Sequence, residues 1–433
     1  MTPHDTEQIH LSVDHLFRLR AGQMVATLTR IFGIEKLDLV EDAVQEALVR
    51  ALRHWPYQGV PNNPTAWLIQ VAKNLLLDRL RRESREVRDE EIEALTRGVD
   101  DLATDSETVF AREVRDDQLR MIFICCHPVI PEEAQVALTL KTIGGFSTSE
   151  IARAFLAKDA AITKMLVRAK QRLREHHIRL EMPLPDKMPA RLDSALKVIY
   201  LMFNEGYSAL EGEELVRTDL CYEAIRLCEL LAAHSVTASP KIHALAALLL
   251  FQGARLRARC DAAGQQLLLA EQNRSLWDPQ LLRRGLHHFQ MSASGNEVSD
   301  YHLEAEIAAC HALAGSYETT DWERVLSCYE ELLKRKPSPV VRLNHIVALA
   351  KVRGTEAGLK ELETLREHRA LSHYYPLYAT HGELLRESER YEEAMDCYRQ
   401  ALGLTSSEPI RRFLMRRINE VSAATSIVVF YPD

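Results

Sequence analysis

The 433-residue sequence lacks the features that mark membrane, secreted and catalytic proteins. No stretch approaches the ~18 apolar residues of a membrane span, and the polar N-terminus is unlike a signal peptide. Eight cysteines are scattered without the spacing of a disulfide framework, which fits a reducing compartment. No glycine-rich phosphate loop, motif of paired carboxylates or nucleophile elbow is found. We therefore expect a soluble, cytoplasmic protein that is not an enzyme and needs no metal or cofactor.

Glycine and proline are scarce, at 17 and 16 residues, whereas 46% of the residues are hydrophobic. These proportions favour helix-rich domains with buried cores, and the length predicts two or three of them. The formal net charge is −8, which makes any strongly basic segment conspicuous.

Residues 144–175 contain two helical patterns separated by a break. Ser147 and Glu150 have the spacing of a capping box for a first helix, which breaks at Ala157–Lys158. Asp159 is placed to cap a second helix, whose apolar residues recur at helical spacing. Two short helices joined by a tight turn are typical of a helix-turn-helix, although a helical hairpin in any bundle has the same spacing.

The charges of this segment favour the helix-turn-helix. Nearly all charged residues in this part of the chain are basic: Lys158, Lys164, Arg168, Lys170, Arg172, Arg174 and Arg179. A solvated structural helix normally mixes both signs. The pattern therefore predicts a surface that faces phosphates.

The first 88 residues are helical in pattern. Residues 41–55 carry an apolar stripe and, opposite to it, a polar face. The stripe comprises Val44, Ala47, Leu48, Ala51, Leu52 and Trp55, and the polar face comprises Asp42, Gln45 and Glu46. A loop is expected at 56–64, and a helix that starts at Pro64 ends in a basic tail. Trp67 of that helix is expected either in the core or as a stacking platform.

Two linkers are predicted from composition, an acid-rich one at 83–107 and a proline-rich one at 182–189. Between them, Cys125, Cys126 and His127 raise a metal or redox alternative. Adjacent cysteines cannot easily bind one tetrahedral ion, and no second pair of ligands lies nearby in sequence. The favoured interpretation is the buried end of a helix.

The sequence beyond residue 190 is helical in pattern and contains a repeat in its last part. Small or apolar residues recur at Val325, Leu359 and Ala394, 34 and 35 residues apart, close to the period of tetratricopeptide repeats. The last copy matches the whole set of aromatic and small positions: Tyr378, Gly382, Tyr391, Ala394, Tyr398 and Ala401. The middle copy is degenerate, so repeats over 315–405 and an irregular helical bundle are both retained as hypotheses.

Taken in order, the two N-terminal segments resemble a bacterial RNA polymerase sigma factor of the extracytoplasmic-function type, over roughly residues 10–180. DAVQEALVRALRHW is similar to the region 2 helix that binds the polymerase clamp. WLIQVAKNLLLDRLRRE is similar to the helices that read and open the −10 element. EIARAFLAKDAAITKMLVRAKQRLRE resembles the region 4 helix-turn-helix that reads the −35 element. The extension, with the CCHP and GGFST stretches before it, resembles the subgroup that carries a large C-terminal helical domain.

This resemblance implies an all-α protein with region 2 at 10–90, an acidic linker at 91–107, region 4 at 108–182 and a helical extension at 190–433. The implied partners are core RNA polymerase and promoter DNA. A regulatory protein or peptide is a further candidate partner of the extension. The alternative hypothesis is a stand-alone helix-turn-helix regulator whose helical domain senses a ligand or a protein.

The resemblance also implies contact residues. The polymerase surface would consist of Asp42, Gln45 and Glu46. The −10 contacts would be Lys73, Asn74, Arg79, Arg81 and Arg82, of which the arginines could instead form a solvated face. Asn74 is expected at a junction of two helices, as a base-capturing amide, a helix cap or both. The −35 contacts would be Asp159, Ala160, Thr163, Lys164, Arg168 and Arg172. Larger or basic residues are usual in the family at Thr163 and Met165, so the bases that are read stay undetermined.

The extension can either mask regions 2 and 4 or support them. A tethered helical array acts at a high effective concentration in both cases. Residues 192–207 favour support, because so apolar a helix is expected to pack permanently against a neighbouring element. We therefore expect truncation after Pro185 to abolish activity.

Overall fold

The computed structural model describes residues 20–59, 61, 63–83, 107–155, 157–207, 217–366 and 368–430. These residues are mostly helical and contain no β-strand, only an isolated antiparallel bridge between Cys260 and Gln266. The predicted all-α class is confirmed. The chain forms two compact units, Met1–Met202 and Phe203–Asp433.

The first unit is built from seven helices and the start of an eighth, among the residues that the structure describes. They are α1 (20–32), α2 (Leu37–Gln58), α3 (Pro64–Glu83), α4 (Glu107–Cys125), α5 (Glu132–Thr142), α6 (Thr148–Ala154), α7 (Asp159–Glu175) and α8 (Met188–Tyr207). The predicted acidic linker lies almost wholly outside the described residues. Helix α8 begins inside the segment predicted as the second linker.

Helix α2 forms because apolar residues recur every three or four positions along it. Val44, Ala47, Leu48 and Ala51 are buried, as the sequence predicts. Leu52 is 58% exposed, so its predicted place on the buried stripe is wrong. At 100° per residue it lies about 90° from the centre of that stripe. The helix also continues past the expected loop start at residue 56 and ends before a glycine with positive φ.

Helix α3 starts at Pro64, as predicted, where the missing amide hydrogen costs nothing. The helix runs without interruption to Glu83, so the junction predicted at Asn74 is wrong. Its buried residues form one continuous face on both sides of that position: Leu68, Ile69, Ala72, Leu76, Leu77 and Leu80. Asn74 lies in mid-helix and therefore cannot cap a helix.

Helices α2 and α3 pack together through two tryptophans. The rings of Trp55 and Trp67 lie with their centroids 5.6 Å apart, and both residues are half-buried. Such a tilted aromatic pair stabilises the contact between the helices. The arrangement favours the core alternative for Trp67 over a stacking platform.

The predicted capping box at the start of α6 is confirmed. The Glu150 amide donates to the Ser147 hydroxyl at 3.2 Å, and the Ser147 amide donates to the Glu150 carboxylate at 2.7 Å. Helix α7 is different, because Lys158 occupies the N-cap position and no side chain caps the helix. Asp159 is the first helical residue, so its predicted capping role is wrong, although a carboxylate there still complements the helix dipole.

The second unit continues the helical chain. Its helices after α8 are α9 (Thr218–Ala233), α10 (Pro240–Gly253), α11 (Pro279–Ser292), α12 (Asp300–Leu313), α13 (Trp322–Arg335), α14 (Pro339–Arg353), α15 (Thr355–Arg366), α16 (Tyr375–Glu387), α17 (Tyr391–Gly403) and α18 (Glu408–Phe430). Two apolar clusters stabilise the part from α12 onward, one around Val325 and Leu332 and one around Tyr398 and Leu414.

The repeat positions identified in the sequence lie at helix contacts. Val325, Leu359 and Ala394 are all buried. At Gly382 of α16, a β-carbon would lie 2.7 Å from a ring carbon of Tyr398 in α17. The small and aromatic positions of the last copy therefore bring this helix pair into close contact.

Candidate functional site

The exposed side of α2 carries the three residues expected to contact polymerase. Asp42 and Gln45 are exposed, and Glu46 is half-buried. Asp42 accepts a hydrogen bond from Arg79 of α3 at 3.4 Å, and Glu46 pairs with Arg50 one turn later at 3.2 Å. Solvated pairs of this kind contribute little to stability. Both carboxylates can therefore exchange their present contacts for a binding partner.

Two apolar residues extend this polar face, and sequence analysis did not assign them to it. Val49 and Leu52 are 38% and 58% exposed. Val49 lies four residues after Gln45, and Leu52 lies three residues after Val49. Both therefore lie on the same side of α2 as Asp42. Exposed apolar side chains next to polar ones are typical of protein-binding surfaces. The spacing could have revealed them, but Leu52 also fits the edge of the buried stripe.

The candidate −10 residues of α3 divide into exposed and buried ones. Asn74, Arg81 and Arg82 are exposed. Lys73 is 2% exposed, because it shares a helix face with the buried residue Leu76. A buried ammonium cannot reach DNA from this position, so the expectation for Lys73 is corrected.

The first half of α7 exposes the residues expected to contact the −35 element: Asp159, Ala160, Thr163, Lys164 and Arg168. The Thr163 hydroxyl donates to the carbonyl oxygen of Asp159 at 2.8 Å, so its hydrogen is engaged within the helix. Lys164 and Arg168 lie one turn apart and form no ion pair with any residue that the structure describes. They are the two cations of this set, and both are accessible to a phosphate backbone.

Arg172, the last of the expected −35 contacts, is also exposed. One of its amino groups donates to the carbonyl oxygen of Val129 at 3.4 Å. A guanidinium has five N–H donors, so most of its binding capacity is unaffected by this long contact.

The second half of α7 contacts the start of α2 through charged side chains. The Lys170 side chain is 8% exposed, and its ammonium lies 2.7 Å from an oxygen of Asp38 and 2.6 Å from an oxygen of Glu41. Arg174 donates to the other oxygen of Asp38 at 3.0 Å, and the Thr142 hydroxyl donates to Glu41 at 3.1 Å. Sequence patterns do not reveal this cluster, because its members come from three helices.

The charges of this cluster stabilise one another. Burial alone would raise the pKa of Asp38, but the hydrogen bonds and charges of Lys170 and Arg174 hold it below its ordinary value. Burial alone would lower the pKa of Lys170, but Glu41 and Asp38 raise it. The stabilisation is lost as the pH falls through the lowered pKa of Asp38 or rises through the raised pKa of Lys170. Asp38 and Lys170 are therefore both charged at neutral pH.

Further contacts join α1 to α4 and α5. The Nε atom of Arg30 lies 2.9 Å from a carboxylate oxygen of Asp117, whose side chain has no exposed surface. A β-carbon at Gly22 would overlap the carbonyl oxygen of Ile143, so the two backbones are in direct contact. The helices before and after residues 84–106 are thus packed together within the first unit.

The cysteine pair lies at the buried end of α4. Cys125 ends α4 and Cys126 follows it, and both are buried, so the predicted buried helix end is confirmed. Burial raises the pKa of both thiols, that of Cys126 to about 12, and lowers the pKa of His127 to about 4. A protonated thiol is neither a nucleophile nor a metal ligand. Among the described residues, no group of three or more His, Cys, Asp or Glu side chains could hold a metal ion.

The second unit contains a groove of about 630 Å³. Its aromatic walls include Tyr317, Trp322, Tyr329, Tyr375 and Phe413. Glu383 in this groove accepts a hydrogen bond from Tyr398 at 2.9 Å and lies 2.7 Å from Arg417. An aromatic groove of this size with a few fixed polar groups is suited to a ligand or a peptide.

The N-terminal helices match a known protein family. Residues 16–86, which include α1 to α3, match the family model for sigma-70 region 2. This part of the chain is therefore similar to region 2 of sigma-70 factors. Residues 191–293 match a model described as a family of unknown function (DUF6596), and residues 382–412 match a tetratricopeptide repeat.

The similarity to a relative extends along nearly all of the chain. An uncharacterized protein of Rhizobium meliloti (strain 1021) is 39% identical over 407 residues, which are 94% of this chain and 95% of the relative. The relationship thus covers region 2, the basic helix and the extension.

Sigma-70 family proteins are transcription initiation factors that bind core RNA polymerase and promoter DNA and catalyse no reaction of their own. The α2 surface and the exposed part of α3 both belong to the matched region 2. Over the described part of the chain, every helix is too short or too polar to span a membrane.

Proposed function

We propose that the protein is an alternative sigma factor of the extracytoplasmic-function type, which directs core polymerase to a specific set of promoters. The observation that carries this proposal is the presence, in one compact unit, of sigma-70 region 2 and a second helix pair with an exposed basic face. A chain with a formal net charge of −8 needs only small basic surfaces if it meets DNA while bound to polymerase.

The proposed polymerase surface is the exposed side of α2. Asp42, Gln45 and Glu46 supply polar contacts, and Val49 and Leu52 supply apolar area next to them. Charged groups around an apolar patch orient the two partners and speed their association. The apolar contacts supply binding energy.

The proposed −10 contacts lie on α3. Asn74 binds a base of the melted strand, because an amide both donates and accepts hydrogen bonds. Arg79, Arg81 and Arg82 contact the phosphate backbone, with Arg79 released from Asp42. Lys73 is left out of this set because it is buried.

The proposed −35 reader is a helix-turn-helix formed by α6 and α7, with α7 in the major groove. Asp159, Ala160, Thr163 and Lys164, at the start of α7, contact base edges. Arg168 and Arg172 follow and contact phosphates. The engaged Thr163 hydroxyl leaves its methyl group and lone pairs for this role.

The extension is proposed to modulate activity, with the aromatic groove of the second unit as the site for a regulatory protein or peptide. Concave surfaces of helical repeats are suited to such partners. Because core polymerase acts on the bacterial chromosome, the proposed place of action is the cytoplasm.

Reconstitution with core polymerase tests the proposal. We expect the purified chain to bind core enzyme and to start transcription from a promoter of its own host, with no binding of promoter duplex by the chain alone. Reversal of charge at Glu46 should weaken co-purification with core enzyme while helical content is unchanged. Specific binding of a promoter duplex without polymerase, and no binding to core enzyme, would instead identify a stand-alone regulator.

A further inference from the structure

The charged residues that line the aromatic groove of the second unit neutralise one another. Three glutamates and three basic residues line it. They form ion pairs of 2.7 to 3.0 Å, namely Glu271 and Glu383 with Arg417, Glu383 with Arg386, and Glu387 with Lys351. The charge that decides which ligand the groove attracts therefore comes from residues behind its lining.

Two arginines lie behind His311, which lines the groove. Arg274 donates to the carbonyl oxygens of His311 and Ala314 at 3.0 and 2.8 Å. Burial, together with the charges of Arg255 and Arg274, lowers the pKa of His311 to about 4. The imidazole is therefore neutral at pH 7, so the charge at this place is that of the two guanidinium groups.

A third arginine, Arg259, belongs to the same group. Burial and the charge of Arg259 lower the pKa of Arg255. The Leu267 amide donates to the Arg259 carbonyl oxygen at 2.9 Å, which places this arginine beside the lining residue Gln266. Burial raises the pKa of Tyr375, another lining residue, to about 12, and the charge of Arg259 acts against that rise. The three arginines thus stand behind one wall of the groove, which we call the positive wall and which consists of His311, Gln266 and Tyr375.

None of these guanidinium groups forms an ion pair with a carboxylate in the described part of the chain. Arg255 donates to two glutamine side chains, which are neutral. Arg259 is 9% exposed and lies over the ring of Tyr207, 3.8 Å from its centroid. Nη1 of Arg259 and Nη2 of Arg274 lack a hydrogen-bond partner among the described residues. Rings and neutral oxygens do not cancel a charge, so the positive wall attracts an anion into the groove.

Aromatic rings adjoin this wall. The ring of Trp322 lies 5.1 Å from that of His311 and 5.3 Å from that of Tyr317, measured between centroids. The groove has a volume of about 630 Å³, which is the size of a small-molecule site. Its apolar walls therefore suit an aromatic ring system, and its unpaired cations suit a negative group attached to that ring system.

We propose that this groove binds a small aromatic anion, with the negative group at the positive wall and the rings against Trp322 and Tyr317. The proposal goes beyond the proposed function, in which a protein or a peptide occupies the groove. The pairing of all charges in the lining, with unpaired cations behind one wall, favours a compact ligand that carries a single negative group.

Two probes of the same shape test the site. They are 1-naphthylacetate, which is an anion at pH 7, and its neutral amide, 1-naphthylacetamide. Binding of each to the full-length chain is measured by isothermal titration calorimetry at low salt. We expect the acetate to bind about tenfold more tightly than the amide, because the unpaired guanidinium groups attract only the acetate. Equal affinities, or no binding of either probe, would refute the proposal.

The variant R259Q tests whether the arginines cause this preference. It should reduce the affinity for the acetate about tenfold and leave that for the amide unchanged, whereas R259K should keep most of the preference. Because R259Q removes a buried charge without an ion pair, its thermal unfolding midpoint should be equal to that of the wild type or higher. The control is R399Q, which removes an exposed arginine that pairs with Asp396 of its own helix and should change neither affinity. A preference for the acetate that survives R259Q contradicts the site.

The aromatic part of the site is tested with Y317L. This variant should weaken both probes alike, by about threefold, because it removes a ring contact but no charge. Loss of affinity for the acetate alone would show that Tyr317 does not contact the rings of the ligand, and the proposed orientation would be wrong.

A second charge variant decides if R259Q does not fold in circular dichroism. Glu318 is exposed, and its charge acts on the pKa of Arg274 and of Tyr317. E318K should therefore bind the acetate about fivefold more tightly than the wild type and the amide equally well. An unchanged affinity for the acetate would refute the site. All of these measurements are made without polymerase, so their failure leaves the proposed sigma function intact, and failure to bind core enzyme leaves the ligand site intact.

Discussion

At the scale of single residues, the packing of α16 on α17 depends on a missing side chain at Gly382. A β-carbon there would lie 2.7, 2.9 and 3.0 Å from three ring atoms of Tyr398, which is fully buried. We expect Gly382→Ala to destabilise the second unit by about 1–3 kcal/mol, as overpacked cores do. The midpoint of thermal unfolding, followed by circular dichroism, should fall accordingly.

Gly403 provides the control for this substitution. It ends α17, and apart from its chain neighbours and the backbone of its own helix no described atom lies within 4 Å of the β-carbon that Gly403→Ala would add. That variant should be neutral or slightly more stable, because alanine restricts the unfolded chain. Equal effects of the two substitutions would show that backbone entropy rather than contact with Tyr398 determines the result.

The thiol of Cys126 provides a test of the buried helix end. With a pKa raised to about 12 by burial, roughly one thiol in ten thousand is ionised at pH 8. We expect iodoacetamide to leave Cys125 and Cys126 unmodified in the folded protein and to modify both in urea. Cys260 and Cys310, which are only half-buried, should react faster in the folded state. Rapid labelling of Cys126 without denaturant would contradict this arrangement.

At the residue scale, the sequence predicts those contacts that form between near neighbours in the chain. The capping box of Ser147 and Glu150 was predictable because both partners lie within one turn. The burial of Lys73 has a local signal too, because Ile69 and Leu77, each four residues away, place it on the apolar face of α3. Whether the charge or the face decides its position depends on tertiary packing, which a local pattern does not contain.

At the scale of helices, one side of α2 stabilises the fold, and the opposite side is proposed to bind core polymerase. We expect Leu52→Glu to change the free energy of unfolding by less than about 0.5 kcal/mol, because the side chain is exposed. It should weaken binding to core polymerase about tenfold, since it places a charge in the proposed apolar patch. Pull-down with core enzyme at graded concentrations measures this loss.

The matched variant on the other side of α2 is Leu48→Ala. Leu48 is buried, so truncation should destabilise the first unit by about 2–5 kcal/mol. At a temperature where this variant is still folded, its affinity for core enzyme should be unchanged. If Leu52→Glu destabilised the protein as strongly, the assignment of the two faces of α2 would be reversed.

Helix α7 should separate base reading from phosphate contact. We expect Lys164→Ala to relax sequence preference at the −35 element, because a base-edge contact carries about 1–3 kcal/mol of discrimination. Arg168→Ala should weaken binding to all sequences and reduce the salt slope by about 0.9. Competition between promoter variants in the reconstituted holoenzyme distinguishes the two effects. A change of preference by both substitutions would mean that α7 lies in the groove in another register.

The helix boundaries show where sequence patterns lose resolution. The start of α3 at Pro64 was predictable, because proline marks a first helical turn. The supposed junction at Asn74 was not real, since apolar spacing continues across it and no glycine or proline interrupts the helix. Similarity to a family whose members have a loop there suggested a break that the residues themselves do not encode.

At the scale of the whole molecule, the effect of a truncation depends on whether the contacts of α8 within the first unit are kept. Its residues up to Met202 belong to the first compact unit. Arg191 donates to the carbonyl oxygen of Phe123, and Lys197 pairs with Glu132 at 2.5 Å. A chain that ends at Pro185 lacks these contacts, so we expect it to aggregate and to lose activity in a promoter–reporter assay.

A chain that ends at Tyr207 is the comparison for this truncation. It keeps all of α8 and should stay monomeric in size-exclusion chromatography and bind core polymerase. If the shorter chain were equally soluble and more active than the full protein, the extension would inhibit rather than support. Activity of the Tyr207 chain then shows whether the remaining helices are required for initiation.

The all-α class and the last repeat were predictable because periodicity is repeated many times along the chain. The close packing of α1 on α5 and of α2 on α7 was not. It depends on a direct contact between the backbones at Gly22 and Ile143 and on ion pairs between residues more than 80 positions apart. Such pairings are set by the shapes of folded surfaces and leave no period in the sequence.

The contact of Lys170 with α2 bears on how the proposed factor would compete for polymerase. If core enzyme binds only molecules in which α2 and α7 have separated, the apparent dissociation constant is the intrinsic one divided by the open fraction. A tenfold decrease in that fraction raises the concentration needed for half occupancy tenfold. The strength of one internal ion-pair cluster would thus set the cellular abundance at which this factor begins to displace other specificity subunits from a limited pool of enzyme.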